Sequence, residues 1–256
     1  MTNIDDIISN ISHRPFELPV GQWKYYQEWN NALFFHWTVP YHILRKCVPE
    51  YFNIDTFDGQ CYVSLVAFTM QKIRPKYLPS ISFISDFAEI NVRTYINNEN
   101  KKGVYFLNIE AEKSLSTFIA KILSGLPYEK SNIKRTDKKY TSTNNKKGFH
   151  LDTEFEIKQE LEQKTELDKW LTERYCLYLD KDDQFYRYDI HHKEWKIKNI
   201  EIKRLNLNYK IGEINLTDSQ PILTHYSDGV KVIAWGRQKA EKFSRQHGFD
   251  VIGSEE

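Results

Sequence analysis

The chain has 256 residues, 40% hydrophobic and 14% aromatic, which is enough apolar surface for a packed core and excludes a disordered chain. Lys and Arg number 36 against 35 Asp and Glu, a formal charge of +1, so no global field attracts nucleic acid or an anionic membrane. Cys47, Cys61 and Cys176 are far apart and form no CxxC, which argues against a disulfide framework or a zinc ribbon.

NIDDIISNIS (3–12) places Ile4, Ile7, Ile8 and Ile11 on one side of a short helix, ended by Pro15 and Pro19. QWKYYQEWNNALFFHWTVP reads as a strand until Pro40, and PYHILRKCVPE as a short helix opened by that proline. FNIDTF, the Asp58-Gly59 turn and QCYVSLVAFTM form a hairpin signal. QKIRPKYLPSIS is a proline-punctuated loop. FAEINVRTYI (87–96) and GVYFLNIEA follow as strands around the polar turn NNENKKG. SLSTFIAKILSG (114–125) has a serine cap, apolar residues at helical spacing and a terminal glycine, and predicts a helix.

LPYEKSNIKRTD, KKYTSTNN and GFHLDTEFEIKQ read as three antiparallel strands. TELDKWLTERY (165–175) reads as a helix capped by Thr165. CLYLDKDDQFYRYDIHH is a second hairpin turning at Asp180–Asp183, and WKIKNIEIKRLNLNY is a strand or an irregular edge. PILTHYS and VKVIAWG close the sheet before a charged C-terminal helix, GRQKAEKFSRQHG. Many strands with few short helices between them give an α+β class, mostly antiparallel β. The strands run through one domain over 20–236, flanked by an N-terminal helix and lead-in (1–19) and a C-terminal helix and tail (237–256). The acidic, polar N-terminus and the absence of an apolar run of about 18 residues lead to the expectation of a soluble, cytoplasmic protein. The lysine pairs 138–139 and 146–147 read as solvated loops.

No phosphate loop, GxGxxG, GxSxG or HExxH motif is present. His191 and His192 are adjacent on a strand and point to opposite faces, so they do not share a metal easily; His225 is the residue that either could meet. Cys176 sits among bulky apolar residues and reads as an inert buried thiol. The strand 87–96 is different. Ile90, Val92 and Ile96 point one way, while Glu89, Asn91, Arg93 and Tyr95 form a polar file on the other. Glu89 and Arg93 are roughly 13 Å apart along such a strand and do not pair with each other. The file either faces water or lines an interior. Arg174 in TERYC is a further group suited to a planar carboxylate, or else part of a surface ion pair.

HWTVPYHILRKCVPEYFNIDTFDGQCYVSLVAF, FAEINVRTYI, GVYFLNIEA, LPY, LTERYCLY, the IHH of 190–192 and HYS together resemble the signature segments of the YqjF-like bacterial family of unknown function. The resemblance covers about residues 20–236. It implies an acetoacetate decarboxylase-like fold, a cone-shaped antiparallel β-barrel with helices around it, in which the polar file turns inward. By the same resemblance Glu89 stands for that enzyme's strand glutamate, 97–103 for its turn and 114–125 for its helix. Leu126-Pro127-Tyr128-Glu129 occupies the place of its Pro-Lys-Lys segment. The Schiff-base lysine position is then Tyr128, which cannot form an imine. Lys130 shares strand parity with Tyr128 and is the one nearby substitute.

Three functions fit this reading. In the first, the barrel interior binds a small polar or anionic carbonyl or carboxylate ligand through Arg93, Asn91 and Arg174, with Glu89 and Tyr128 fixing its orientation. In the second, a lyase- or isomerase-type enzyme works without a lysine, with Glu89 and Tyr128 as its acid–base groups. In the third, the chain is a scaffold with internal ion pairs. No cofactor, metal, nucleic-acid or membrane partner is implied, the small molecule is unidentified and the oligomeric state is open.

Overall fold

The computed structural model describes residues 4–112, 126, 128–181, 184–217 and 219–239. The expected helix over 114–125 and most of the C-terminal helix lie outside these residues. Along the chain run α1 (Ile4–Ser9), β1 (Tyr25–Val39), α2 (Tyr41–Arg45), β2 (Cys61–Pro75), α3 (Ser82–Ser85), β3 (Phe87–Asn98), β4 (Lys101–Ala111), β5 (Glu129–Lys130), β6 (Asn132–Arg135), β7 (Lys139–Asn144) and β8 (Phe149–Glu160). After these come α4 (Glu166–Thr172), β9 (Cys176–Lys181), β10 (Gln184–His192), β11 (Lys198–Asn208), β12 (Lys210–Ile211), β13 (Ile214–Asn215), β14 (Leu223–Ala234) and β15 (Gln238–Lys239).

The pairings close on themselves. β1 lies between β14 and β2, and the path continues through β3, β4, β9 and β10. It returns to β14 through Ile190↔Ala234, His191↔Ile233 and His192↔Val232. Six of these seven seams are antiparallel, and the β4–β9 seam is parallel. A closed ring gives every strand an inner and an outer face. At the parallel seam Gly103 sits against Cys176, where a Cβ would meet the carbonyl oxygen at 2.4 Å. An arm of β11, β8, β7 and β6 leaves the ring at β14.

Two cores follow from these two faces. The inner one gathers Phe34, Val66, Phe68, Met70, Ile109, Tyr188, Trp195 and Val232. The outer one joins Leu33, Phe35, Leu65, Ile90, Val92 and Ile96 of the ring to Ile133, Leu151, Phe155 and Leu207 of the arm. Burial on both sides places apolar and aromatic residues on both faces of β1, β2 and β3, interrupted by buried polar groups such as His36, Ser64, Glu89 and Asn91. α1 and its lead-in cover a further outer patch through Ile7, Trp23, Tyr26, Ile233 and Trp235.

β1 changes phase half-way. Asn31 has φ 54°, and the register with β2 shifts between Asn30 and Leu33. This bulge lets Trp29 and Ala32, three residues apart, both face inward. Opposite it, Gly229 has φ 134°, and a Cβ there would meet the Trp29 carbonyl at 2.4 Å.

The Asp58-Gly59 turn is present, with φ 48° and 75°. Its first arm is not a strand, however: Phe57 bridges Gln60, and Ile54 bridges Ile96 instead. The expected hairpin therefore becomes a turn leading into β2, which pairs with β1 and β3. β2 also runs through QKIRP to Pro75, a stretch expected to be loop. Thr165 caps α4 as expected, in a full capping box with Asp168.

Candidate functional site inside the strand ring

A cavity of about 90 Å³ lies within the ring, lined by side chains from all seven strands and by Leu126, Tyr128 and Trp195. That is room for a compound of a few heavy atoms or a few waters. Most of its wall is apolar: Phe34, Val66, Phe68, Met70, Phe106 and Leu177 contribute, with Trp29 and Trp195 beside them. Of the polar exceptions, Gln27 lies on β1 and three others lie on β3. Glu89, Asn91 and Arg93 all line the cavity, so the file faces the interior at these three positions. Tyr95 shares the face but lies further along, against Trp170 and Leu171.

Glu89 is 2% exposed. Tyr128 donates its phenol proton to Glu89 Oε2 at 2.8 Å, and Asn91 Nδ2 donates to Oε1 at 3.1 Å. Burial pushes the Glu89 carboxyl up from 4.5 to about 7, while the hydrogen bonds from Tyr128 and Asn91 and the charge of Arg93 limit the rise. Burial and the neighbouring carboxylate drive the Tyr128 phenol well above its ordinary value. The pair is a carboxyl group poised near neutrality with a phenol that stays protonated.

Arg93 Nε is buried without a hydrogen-bond partner, and so are Asn91 Oδ1 and Trp29 Nε1. All three residues line the cavity. Buried polar atoms are nearly always satisfied, and each such exception calls for a reason. The Arg93 guanidinium lies 5.8 Å from the Phe34 ring centroid and neighbours Tyr95, two residues along the same face of β3. Burial lowers its pKa, partly offset by Tyr95 and Glu89.

Arg174 lies elsewhere. It pairs with Asp55 at 2.6 Å, donates to the Trp170 carbonyl and lies over the Trp170 and Tyr95 rings. It does not line the cavity. Its local sequence is rich in Glu and Tyr, and nothing there reveals a partner 119 positions upstream.

Lys130 is exposed, so strand parity with Tyr128 is not kept. The chain turns through a Tyr128 N–H to Leu126 carbonyl contact before β5 begins. No lysine lines the cavity among the described residues. Glu129 faces outward and pairs with Lys146.

The three histidines do not converge. His191 bonds to the Ile7 carbonyl and His192 to the Lys193 carbonyl, whereas His225 meets His36 and Asp168. Among the described residues no His/Cys/Asp/Glu group could hold a metal. Cys176 is buried, its thiol raised well above its ordinary value by burial.

Residues 26–231 match the profile of DUF2071, described as an uncharacterized conserved protein. The chain belongs to this family. It is 35% identical over 239 residues to the uncharacterized protein YqjF of Bacillus subtilis (strain 168), covering 87% of this chain and 95% of that one. Among solved structures this DUF2071 member is similar to an acetoacetate decarboxylase, with TM-score 0.60 and 15% identity over 94% of this chain and 99% of that one. It is also similar to the enduracididine biosynthesis enzyme MppR complexed with the condensation product of pyruvate and imidazole 4-carboxaldehyde. There the TM-score is 0.56 and the identity 8%, over 89% and 92% of the two chains. At these identities the likeness is one of fold: an acetoacetate decarboxylase-like arrangement of mostly antiparallel strands.

Proposed function

We propose that the ring interior binds a small carboxylate that also carries a carbonyl group, with pyruvate as the reference compound. The observation that carries this reading is Arg93, a cationic side chain on a mostly apolar cavity, whose buried Nε has no partner. A ligand carboxylate supplies the missing acceptor to Arg93 and to Trp29 Nε1, and the surrounding aromatics make that charge-assisted bond stronger than it is in water. Asn91 Oδ1 accepts from a hydroxyl or hydrated carbonyl. The Glu89–Tyr128 pair faces the ligand's carbonyl end. MppR, which shares the fold, is described in complex with a pyruvate-derived product, which is consistent with this ligand class. Thermal shift against a panel of carboxylic acids and carbonyl compounds tests the reading. Small 2-oxo acids are expected to raise the melting temperature, and their amides are not. Equal shifts from acid and amide would remove the role given to Arg93.

A second reading is favoured by the Glu89 carboxyl near 7 beside a phenol. In that reading Glu89 takes the proton α to the ligand's carbonyl, the C–H electron pair becomes the enol double bond, and the carbonyl oxygen takes the Tyr128 proton. Such a site exchanges the methyl protons of pyruvate with deuterium from the solvent, which proton NMR follows directly. Exchange in the wild type that disappears in Glu89→Gln supports a lysine-independent catalyst. No exchange above buffer leaves binding as the function.

A further inference from the structure

Beyond the cavity, on the same inner face of the ring, runs a chain of buried polar side chains that ligand binding as described above does not use. Tyr95 Oη lies 2.5 Å from Ser64 Oγ, and Ser64 Oγ lies 2.6 Å from His36 Nδ1. His36 Nε2 is 3.3 Å from His225 Nδ1, and His225 Nε2 is 2.9 Å from Asp168 Oδ1. Tyr95, Ser64, His36 and His225 are each 0% exposed, and Asp168 is 5% exposed. Arg93 precedes Tyr95 by two residues on the same face of β3, so its guanidinium adjoins the phenol at the cavity end of the chain and the two interact electrostatically.

Hydrogen bonding fixes the direction of this chain. Asp168 Oδ2 already accepts from the Thr165 N–H at 2.8 Å and the Thr165 hydroxyl at 2.7 Å, so its carboxylate is an acceptor. His225 must then donate from Nε2. A neutral His225 offers a lone pair at Nδ1, which takes the proton on His36 Nε2. His36 Nδ1 is left as the acceptor for Ser64, and Ser64 Oγ as the acceptor for Tyr95. Burial lowers the pKa of both imidazoles, which keeps them neutral. Every donor therefore points from Tyr95, beside Arg93, toward Asp168.

This orientation answers a question left by Arg93. The ion-paired arginines among the described residues are Arg174, Arg187 and Arg204. Arg93 has only Glu89 for a neighbouring acid, and that group titrates near 7. We infer that Tyr95, Ser64, His36 and His225 form a one-way hydrogen-bond relay through which Asp168 acts as the remote counter-charge and positioning residue for Arg93, leaving its Nε free for a ligand carboxylate. The ligand half of this inference rests on the proposed function; the relay itself does not. Polarised chains of this kind strengthen each member, so the phenol oxygen facing Arg93 is a better acceptor than an isolated tyrosine.

The test is nitrogen-15 NMR of the histidine rings in the full chain at neutral pH. In the wild type both His36 and His225 are expected as neutral Nε2–H tautomers; Nδ1–H at either one overturns the relay. Asp168→Asn keeps an oxygen for Thr165 and presents an N–H to His225. His225 then carries its proton on Nδ1, His36 follows, and Tyr95 turns to the Leu171 carbonyl, 3.2 Å away. A flip of both rings supports the relay, and a flip confined to His225 overturns it. If the Asn variant does not fold, the wild-type tautomers decide. Ser64→Ala is expected to weaken pyruvate about five- to tenfold, the worth of roughly one hydrogen bond, and Ser64→Thr to restore it. Equal affinity in Ser64→Ala overturns the positioning role. Failure of pyruvate to bind the wild type strikes the proposed ligand, and the relay then stands or falls on the tautomers alone.

Discussion

Tyr128 and Glu89 meet at 2.8 Å inside the strand ring, with the phenol as donor and the carboxylate as acceptor. A carboxyl raised to about 7 in the folded chain and near 4.5 in the unfolded one binds its proton more tightly when folded. Between these two values the native state holds more protons, so its stability falls as pH rises from 4.5 to 7 and is level beyond. The loss amounts to roughly 3 kcal/mol. Glu89→Gln removes this dependence. Urea unfolding at pH 5 and pH 8 is expected to show the wild type weakening relative to Glu89→Gln at the higher pH. A constant difference between the two would mean that Glu89 is not shifted.

The opposite sign holds for His192. It is buried among Trp29, Tyr175 and Trp195, and burial lowers its pKa to about 3. The unfolded chain takes up a proton near 6.5 that the folded chain refuses. Stability is therefore complete above 6.5 and lost as pH falls toward 3, by roughly 5 kcal/mol. His192→Asn can still donate to the Lys193 carbonyl. Acid unfolding followed by tryptophan fluorescence should begin at lower pH in this variant than in the wild type, measured from each protein's own neutral baseline.

Asp55 and Arg174 test whether stability and ligand binding are separate. Removing one partner of a buried ion pair leaves the other charge uncompensated, at a cost of roughly 3–5 kcal/mol. Asp55→Ala is expected to lower the unfolding free energy by this amount, read from denaturant midpoints. In the fraction that remains folded, affinity for a 2-oxo acid should be unchanged, because Arg174 does not line the cavity. A loss of affinity without a loss of stability would return Arg174 to the binding site.

Much of this was legible in the sequence where one strand carries the information alone. The alternation of β3 exposes Glu89, Asn91 and Arg93 as one file, and the Thr165 cap announces α4. Other features depend on partners far apart in the chain. His36, Ser64, His225 and Asp168 come from three strands and a helix, and only the ring brings them together. The double asparagine at 30–31 marks a bulge that periodic reading passes over, and with it the inward turn of Trp29. Both faces of β3 are buried because the arm covers the outer one, which strand alternation cannot reveal. The pattern of FNIDTF predicts a strand, but Asp55 lies outside any strand and pairs with Arg174, 119 positions further along, which local sequence does not show.

The central claim is that Arg93 holds a ligand carboxylate in the ring interior. Calorimetric titration of pyruvate into the wild type and into Arg93→Met addresses it most directly. The methionine keeps much of the apolar stem and deletes the charge. Saturable one-site binding in the wild type that weakens at least tenfold in Arg93→Met, with the fold intact by circular dichroism, is the predicted result. Equal affinity in the two proteins would contradict the account.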